Sequence, residues 1–202
     1  MIKLIASKAA CFLCKDENCK DNYDLYEYAV YIVLSSAFHI VTIVALGLYF
    51  NLLVESLLFY FSFVAIRKFA GGYHAKTQMR CYLFSVVSNI IVLLTTKSIG
   101  GNMNENIICY IILTIELMCV VFISIVSPLD TNNNPLNDRE KKVYKTISKC
   151  ISLIMFLLSV LFLYTDLKSK GVAIAFGIFM STFVLLIRKL QVKKLSCEKQ
   201  IN

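Results

Sequence analysis

Tryptophan is absent from this 202-residue sequence, which also has only two histidines, two prolines and seven glycines. So little proline and glycine excludes a disordered or fibrous chain. Charged residues make up 17% of the chain, whereas a soluble domain has about a quarter. Hydrophobic residues reach 58% despite the missing tryptophan. This composition excludes a secreted disulfide scaffold and a DNA-binding module, and it leaves no room for a soluble domain of typical size.

Six apolar segments follow one another along the chain, at residues 28–50, 52–66, 82–96, 107–126, 147–165 and 172–187. A membrane-spanning helix needs about 20 residues, within a range of about 17–25. The first, fourth and fifth segments meet this length, and the other three lie near its lower limit. The sequence predicts an all-α integral membrane protein with about six transmembrane helices. Four spans plus a re-entrant pair, formed by the second and third segments, are the alternative.

The basic residues orient these segments. With both termini in the cytoplasm, the inner side holds 18 of the 21 lysines and arginines and the outer loops hold three. Lysine and arginine concentrate in cytoplasmic loops, so this asymmetry predicts cytoplasmic termini. The net charge of +8 is then explained by anionic lipid rather than nucleic acid. We expect a single polytopic domain, 1–202, with an N-terminal cytoplasmic or interfacial segment at 1–27, loops at 67–81 and 127–146, and a tail at 188–202.

The loop at 67–81, RKFAGGYHAKTQMRC, contains His74 and Cys81. A thiol and an imidazole at a membrane–cytosol boundary indicate nucleophilic catalysis, because the imidazole can accept the thiol proton. The surrounding basic residues favour the thiolate further. Gly71 and Gly72 allow backbone conformations forbidden to other residues, or close approach of a substrate chain. Residues seven apart in one straight helix are separated by about 10 Å, so a catalytic pair requires a bend or a loop that folds back. A loop histidine and an unrelated buried cysteine would produce the same pattern.

Two motifs together resemble a known family. They are RKFAGGYHA followed by a cysteine, and SPLDTNNNPLNDREKK at 127–142. In a chain of about this length with six apolar segments, they closely resemble the accessory gene regulator protein B (AgrB) family. The resemblance covers nearly the whole chain. It implies an integral-membrane cysteine endopeptidase of Gram-positive quorum sensing in the bacterial cell membrane. The asymmetry of lysine and arginine then predicts that the site lies at the cytoplasmic face.

The resemblance also implies roles for individual residues. His74 and Cys81 would be the catalytic pair of 67–81, the catalytic loop, and Arg67 and Gly72 would be required for the site. The substrate would be an AgrD-type propeptide, with an N-terminal amphipathic helix, a central pheromone segment and an acidic C-terminal tail. The enzyme would remove the tail and help close a cyclic thiolactone or lactone. It implies no cofactor, and a homodimer would be in keeping with the family.

One position in the second motif departs from the family. Some members carry a run of lysines that is linked to substrate processing, and this chain has asparagines at 132–134. A role for positive charge cannot be carried over to those positions. Other basic residues are alternatives for contact with an acidic tail, although they are equally explained as topology signals: Lys141, Lys142 and Lys145.

Two other classes of membrane protein compete with the peptidase. Cys11 and Cys14 form a C-x-x-C pair that would suit a thiol–disulfide oxidoreductase, but the predicted topology puts them on the cytoplasmic side. With Cys19 they remain one ligand short of a zinc site, so no metal is predicted. Glu55 and Glu116 lie within apolar segments, as the coupling carboxylates of a small transporter do.

Cysteine-accessibility labelling tests the predicted topology. Lys76→Cys and Asn133→Cys place one new thiol in each of the two basic loops assigned to the cytoplasm. A membrane-impermeant maleimide should leave both new thiols unlabelled in intact cells and label both after permeabilisation. Labelling of the parent protein measures the background from the native cysteines. Labelling from outside intact cells would contradict the predicted orientation.

Overall fold

The computed structural model describes residues 2–13, 23–71, 78–99, 105–129, 137–165 and 167–201. These residues form seven helices and no strand: α1 (Ile2–Leu13), α2 (Tyr23–Tyr49), α3 (Leu53–Ala70), α4 (Gln78–Ile99), α5 (Glu105–Val126), α6 (Asp138–Leu163) and α7 (Lys168–Ile201). Five of those described, α2 and α4 to α7, are long and apolar enough to cross a membrane. The prediction of an all-α membrane protein is confirmed. The number of spans stays a prediction, because α3 has only 18 residues and carries three charged ones.

The helices extend beyond the apolar segments that predicted them. The backbone N–H of Asn137 donates to Glu140 Oε2 at 2.9 Å, a capping bond that starts α6 well before residue 147. The first turns of α6 therefore fall within the segment expected as a loop at 127–146. Similarly, α7 continues to Ile201 through the expected tail. Apolar runs mark only the part of a helix suited to lipid, whereas capped polar turns lengthen it.

The chain divides into two compact units, residues 1–45 and 46–202. In the first unit, the Tyr23 hydroxyl donates to the Ser7 carbonyl oxygen at 3.2 Å and joins α1 to the start of α2. α1 lies within the N-terminal segment expected at 1–27. Its Ile5 and Phe12 side chains are exposed, which suits the predicted location at a lipid interface.

The second unit is built around α7, which packs against α3, α4, α5 and α6. Helices in lipid have little hydrophobic drive to associate, so small residues that allow close packing contribute much of the stability. The buried face of α7 is rich in such residues: Gly171, Ala173, Ala175, Gly177 and Ser181. At Gly177 a Cβ atom would collide with Ser62 Oγ and lie 3.0 Å from the Phe59 carbonyl oxygen of α3.

The two carboxylates inside apolar segments hold the start of α7. Ser169 Oγ of α7 donates to Glu55 Oε1 of α3 at 2.8 Å. Ser159 Oγ of α6 lies 2.9 Å from Glu116 Oε2 of α5 and 3.1 Å from the Gly171 carbonyl oxygen, so its proton has two acceptors. Glu116 is 2% exposed and Glu55 is 8% exposed. These contacts give both carboxylates a packing role around α7.

A buried amide joins α3 to α4. Ser56 Oγ donates to Asn89 Oδ1 at 3.2 Å, and both side chains are fully buried. A polar group in the interior costs about 1–3 kcal/mol when it is left without a partner. The pairing therefore opposes sliding of α4 along α3.

The close approach of α3 to α7 predicts that a larger side chain at position 177 destabilises the protein. Gly177→Val should lower the free energy of unfolding by about 1–3 kcal/mol, because the added carbons overlap α3. Leu186→Phe, which adds atoms to an exposed position of the same helix, should change it little. Thermal unfolding in detergent would measure both variants, and equal melting temperatures for Gly177→Val and the parent would contradict the tight packing.

Candidate active site

Arg67 and Cys81 meet where α3 ends and α4 begins. Arg67 Nη1 donates to Cys81 Sγ at 3.3 Å, and both side chains are half-buried. Arg67 lies in the last turn of α3, and Cys81 lies one turn into α4. The structure thus brings together two of the residues predicted for the site, from the two ends of the loop expected at 67–81.

The surroundings of the Cys81 sulfur are electropositive. The first turn of a helix has backbone N–H groups without helical acceptors and carries the positive end of the helix dipole. A guanidinium adds a full positive charge that is retained at any physiological pH. Both would stabilise negative charge that develops on the sulfur, and the thiolate is the nucleophilic form of cysteine.

A row of aromatic rings supports Arg67 along one face of α3. The Arg67 guanidinium carbon lies 5.6 Å from the centre of the Phe63 ring. Phe63 stacks in turn on Phe59, with ring centres 6.1 Å apart and an interplanar angle of 5°. Residues four apart share a helical face. Neither sequence motif predicts this row, although the spacing of Phe59, Phe63 and Arg67 in the sequence is a signal for it.

The two sequence motifs meet at the end of α3. The Leu129 backbone N–H donates to the Ala70 carbonyl oxygen at 3.2 Å. Gly71 has φ 75°, and a Cβ atom there would lie 2.6 Å from the Leu129 carbonyl oxygen. Glycine is therefore required at position 71 both by its conformation and by the approach of the 127–129 segment. The sequence predicted either a backbone conformation that other residues avoid or the close approach of a substrate chain at this glycine. The φ of 75° agrees with the first alternative, and the protein's own second motif lies beside the residue.

The N-terminal turns of α6 lie beside the end of α3, where the Phe69 and Tyr144 rings make an edge contact at 6.0 Å. The lysines expected to meet an acidic tail lie on these turns rather than on a loop. Lys142 and Lys145 are exposed and Lys141 is half-buried. The exposed side chains of Lys142 and Lys145 are accessible to an acidic partner.

Several predicted residues lie outside the part of the chain that the structure describes. His74, Gly72 and Lys76 fall within residues 72–77, and the asparagines at 132–134 fall within residues 130–136. The pairing of His74 with Cys81 therefore stays a prediction.

The cysteine alternatives are only partly described. Cys11 is an exposed free thiol on α1, and Cys14 and Cys19 lie outside the described residues. Within the ranges described above, no three histidine, cysteine or acidic side chains come together as metal ligands.

Comparison with known proteins assigns the family. The sequence profile of accessory gene regulator B matches residues 6–185. The chain is 28% identical over 185 residues to putative AgrB-like protein 2 of Clostridium perfringens, covering 87% of this chain and 85% of the relative. It is 30% identical over 182 residues to accessory gene regulator protein B of Staphylococcus saprophyticus, covering 86% and 92%. It is 27% identical over 172 residues to protein FsrB of Enterococcus faecalis, covering 85% and 67%.

No solved structure gives a significant match to the chain. The family profile nevertheless spans both motifs and every helix that forms the site. The chain belongs to the accessory gene regulator B family.

Proposed function

We propose that this protein is a membrane cysteine endopeptidase that processes an AgrD-type pheromone propeptide at the cytoplasmic face of the bacterial cell membrane. Family membership supports a role in processing the peptide signals of quorum sensing. Cleavage of the C-terminal tail through an acyl-enzyme on Cys81, followed by closure of a thiolactone or lactone ring, is the finer part of the proposal.

The contact between Arg67 and Cys81 carries this proposal. Among the described cysteines, Cys119 is buried within the core cluster around α7, Cys11 and Cys150 are exposed, and Cys109 is half-buried near the start of α5. The bond from a guanidinium is what distinguishes Cys81 from Cys109. Cys81 is half-buried, lies at the start of a helix and accepts a bond from a guanidinium at 3.3 Å. Electropositive, partly accessible surroundings are those in which cysteine acts as a nucleophile.

In the first step, the Cys81 thiolate attacks the carbonyl carbon at the junction between the pheromone segment and the acidic tail. His74 takes the thiol proton and then gives a proton to the leaving amine, which releases the tail. The pheromone segment remains bound to Cys81 as a thioester. General acid–base catalysis of this kind contributes about a hundredfold to ten-thousandfold in rate.

The thioester has two fates. Water would hydrolyse it to a linear peptide and lose its energy. A nucleophilic side chain within the same peptide has a much higher effective concentration than an outside competitor. When that side chain is a thiol, its sulfur replaces Cys81 Sγ on the acyl carbon. This exchange closes a thiolactone of similar energy and returns the Cys81 thiol.

The exposed lysines of α6 would meet the acidic tail. Lys142 and Lys145 lie on the turns that contact the end of α3 through Tyr144. Charge attraction would hold the tail close to the membrane surface, and it would weaken as salt rises.

Substitution of the proposed pair makes the main test. Cys81→Ser and His74→Ala should each abolish cleavage of an AgrD-type propeptide while the protein still inserts into membranes. Cys11→Ser and Cys150→Ser change exposed thiols elsewhere and should leave cleavage nearly normal. Mass spectrometry of the released tail measures all four variants.

A modified substrate tests the covalent intermediate in the same assay. A propeptide whose ring-forming nucleophile is replaced by alanine should accumulate as a thioester on Cys81, or be hydrolysed slowly to a linear peptide. Tail release by Cys81→Ala, with no adduct on the parent enzyme after rapid quenching, would exclude covalent catalysis by this residue.

Neighbouring basic residues provide a second test. Arg67→Ala should lower kcat/KM about tenfold to a hundredfold, the size expected for a charged hydrogen bond. Lys68→Ala should lower it about fivefold at most, because Lys68 is exposed and its ammonium lies over the Phe69 ring rather than at Cys81. Equal small effects from both would restrict Arg67 to a topology role.

A further inference from the structure

We propose that Phe63 is a positioning residue for the nucleophile, because its ring holds the Arg67 guanidinium against the Cys81 sulfur. The inference deepens the proposed function and adds a residue that neither sequence motif contains. It also predicts a property of the Cys81 thiol that can be measured without any substrate.

The ring and the sulfur contact the same guanidinium. The guanidinium carbon lies 5.6 Å from the centre of the Phe63 ring, and Nη1 reaches Cys81 Sγ at 3.3 Å. A guanidinium within about 6 Å of a ring centre is attracted to the face of the ring. A free arginine side chain samples many rotamers, and ordering it opposes any single contact. Attraction to the ring favours the rotamers in which the donor faces α4.

The Phe63 ring is itself fixed. It is 3% exposed and lies parallel to Phe59, which is 1% exposed and packs against α7 and α4. Ser181 Oγ of α7 lies 3.3 Å from the Phe63 carbonyl oxygen and 2.8 Å from the Gly177 carbonyl oxygen, so its proton is shared between the Phe63 backbone and its own helix. A ring fixed in this way can help to hold the guanidinium in place, whereas a loose ring could not.

The chain contains a matched control for the cation–ring contact. Lys189 Nζ lies 5.5 Å from the centre of the Phe122 ring, where α7 meets α5. Phe122→Leu therefore removes a cation–ring contact of similar geometry and causes the same loss of side-chain volume. It leaves Arg67 unchanged. Phe63→Leu removes the ring under Arg67 and keeps an apolar side chain there.

The test is the rate at which iodoacetamide alkylates Cys81 in the full-length protein in detergent. Mass spectrometry of the Cys81 peptide separates this thiol from the others, and the rate is followed from neutral to alkaline pH. Phe63→Leu should slow alkylation near neutral pH about twofold to thirtyfold, the range expected for a cation–ring contact. Phe122→Leu should change the rate by less than about twofold.

A double-mutant cycle separates positioning from packing. In an Arg67→Gln background, Phe63→Leu should change the rate by less than about twofold, since the group through which the ring acts is gone. An unchanged rate in Phe63→Leu alone, or equal slowing with and without Arg67, would overturn the inference.

Cleavage of the propeptide is measured in parallel. If the parent protein does not cleave the propeptide at all, the proposed peptidase function would be overturned. The alkylation rates would still decide the role of Phe63, because they are measured without any propeptide.

Discussion

The close contact of α3 with α7 fixes the position of the candidate site. Gly177 lets the α3 backbone approach α7 so nearly that a single added carbon would collide with Ser62. In lipid, small residues are a main source of stability between helices, so few other contacts could replace this one. Ser181 then bonds the backbone of Phe63, the residue whose ring lies under Arg67. Through these contacts, the packing of α3 against α7 helps to determine where Arg67 meets the Cys81 sulfur of α4.

The geometry of the site also depends on the position of α4 relative to α3, and two contacts restrict that position. Asn89 of α4 bonds Ser56 of α3 in a fully buried setting, where separation would leave both groups without partners. Near the other end, Arg67 reaches Cys81 across the start of α4. Asn89 and Cys81 are eight residues apart on one helix, about 12 Å in length. Contacts at both positions oppose sliding of α4 and its rotation about its own axis.

The apolar segments predicted the all-α membrane fold because about 20 apolar residues have few other stable arrangements. Polar capping explains the extra turns of α6, for which Asn137 and Glu140 were a signal in the printed sequence. The chemistry was predictable in part. Cys81 and Arg67 were expected from the motif, but their contact depends on the rotation of α3 that directs Arg67, and not the adjacent Lys68, towards α4. The contact of Gly71 with Leu129 joins segments far apart in sequence, and no local pattern predicts such a pairing.

The site also explains why a membrane location would suit ring closure by the proposed peptidase. An acyl-enzyme in open water loses its thioester to hydrolysis, whereas ring closure needs the peptide's own nucleophile to react first. Cys81 is half-buried, between the end of α3 and the apolar body of α4, so the helices already restrict water on part of its surface. The tail that the proposed peptidase would release is expected to be acidic, and the exposed lysines of α6 lie on turns beside the end of α3. The surface between α3 and α4 would therefore suit an apolar acyl group that must be protected from water. The turns of α6 would suit a charged leaving group that must be released into water.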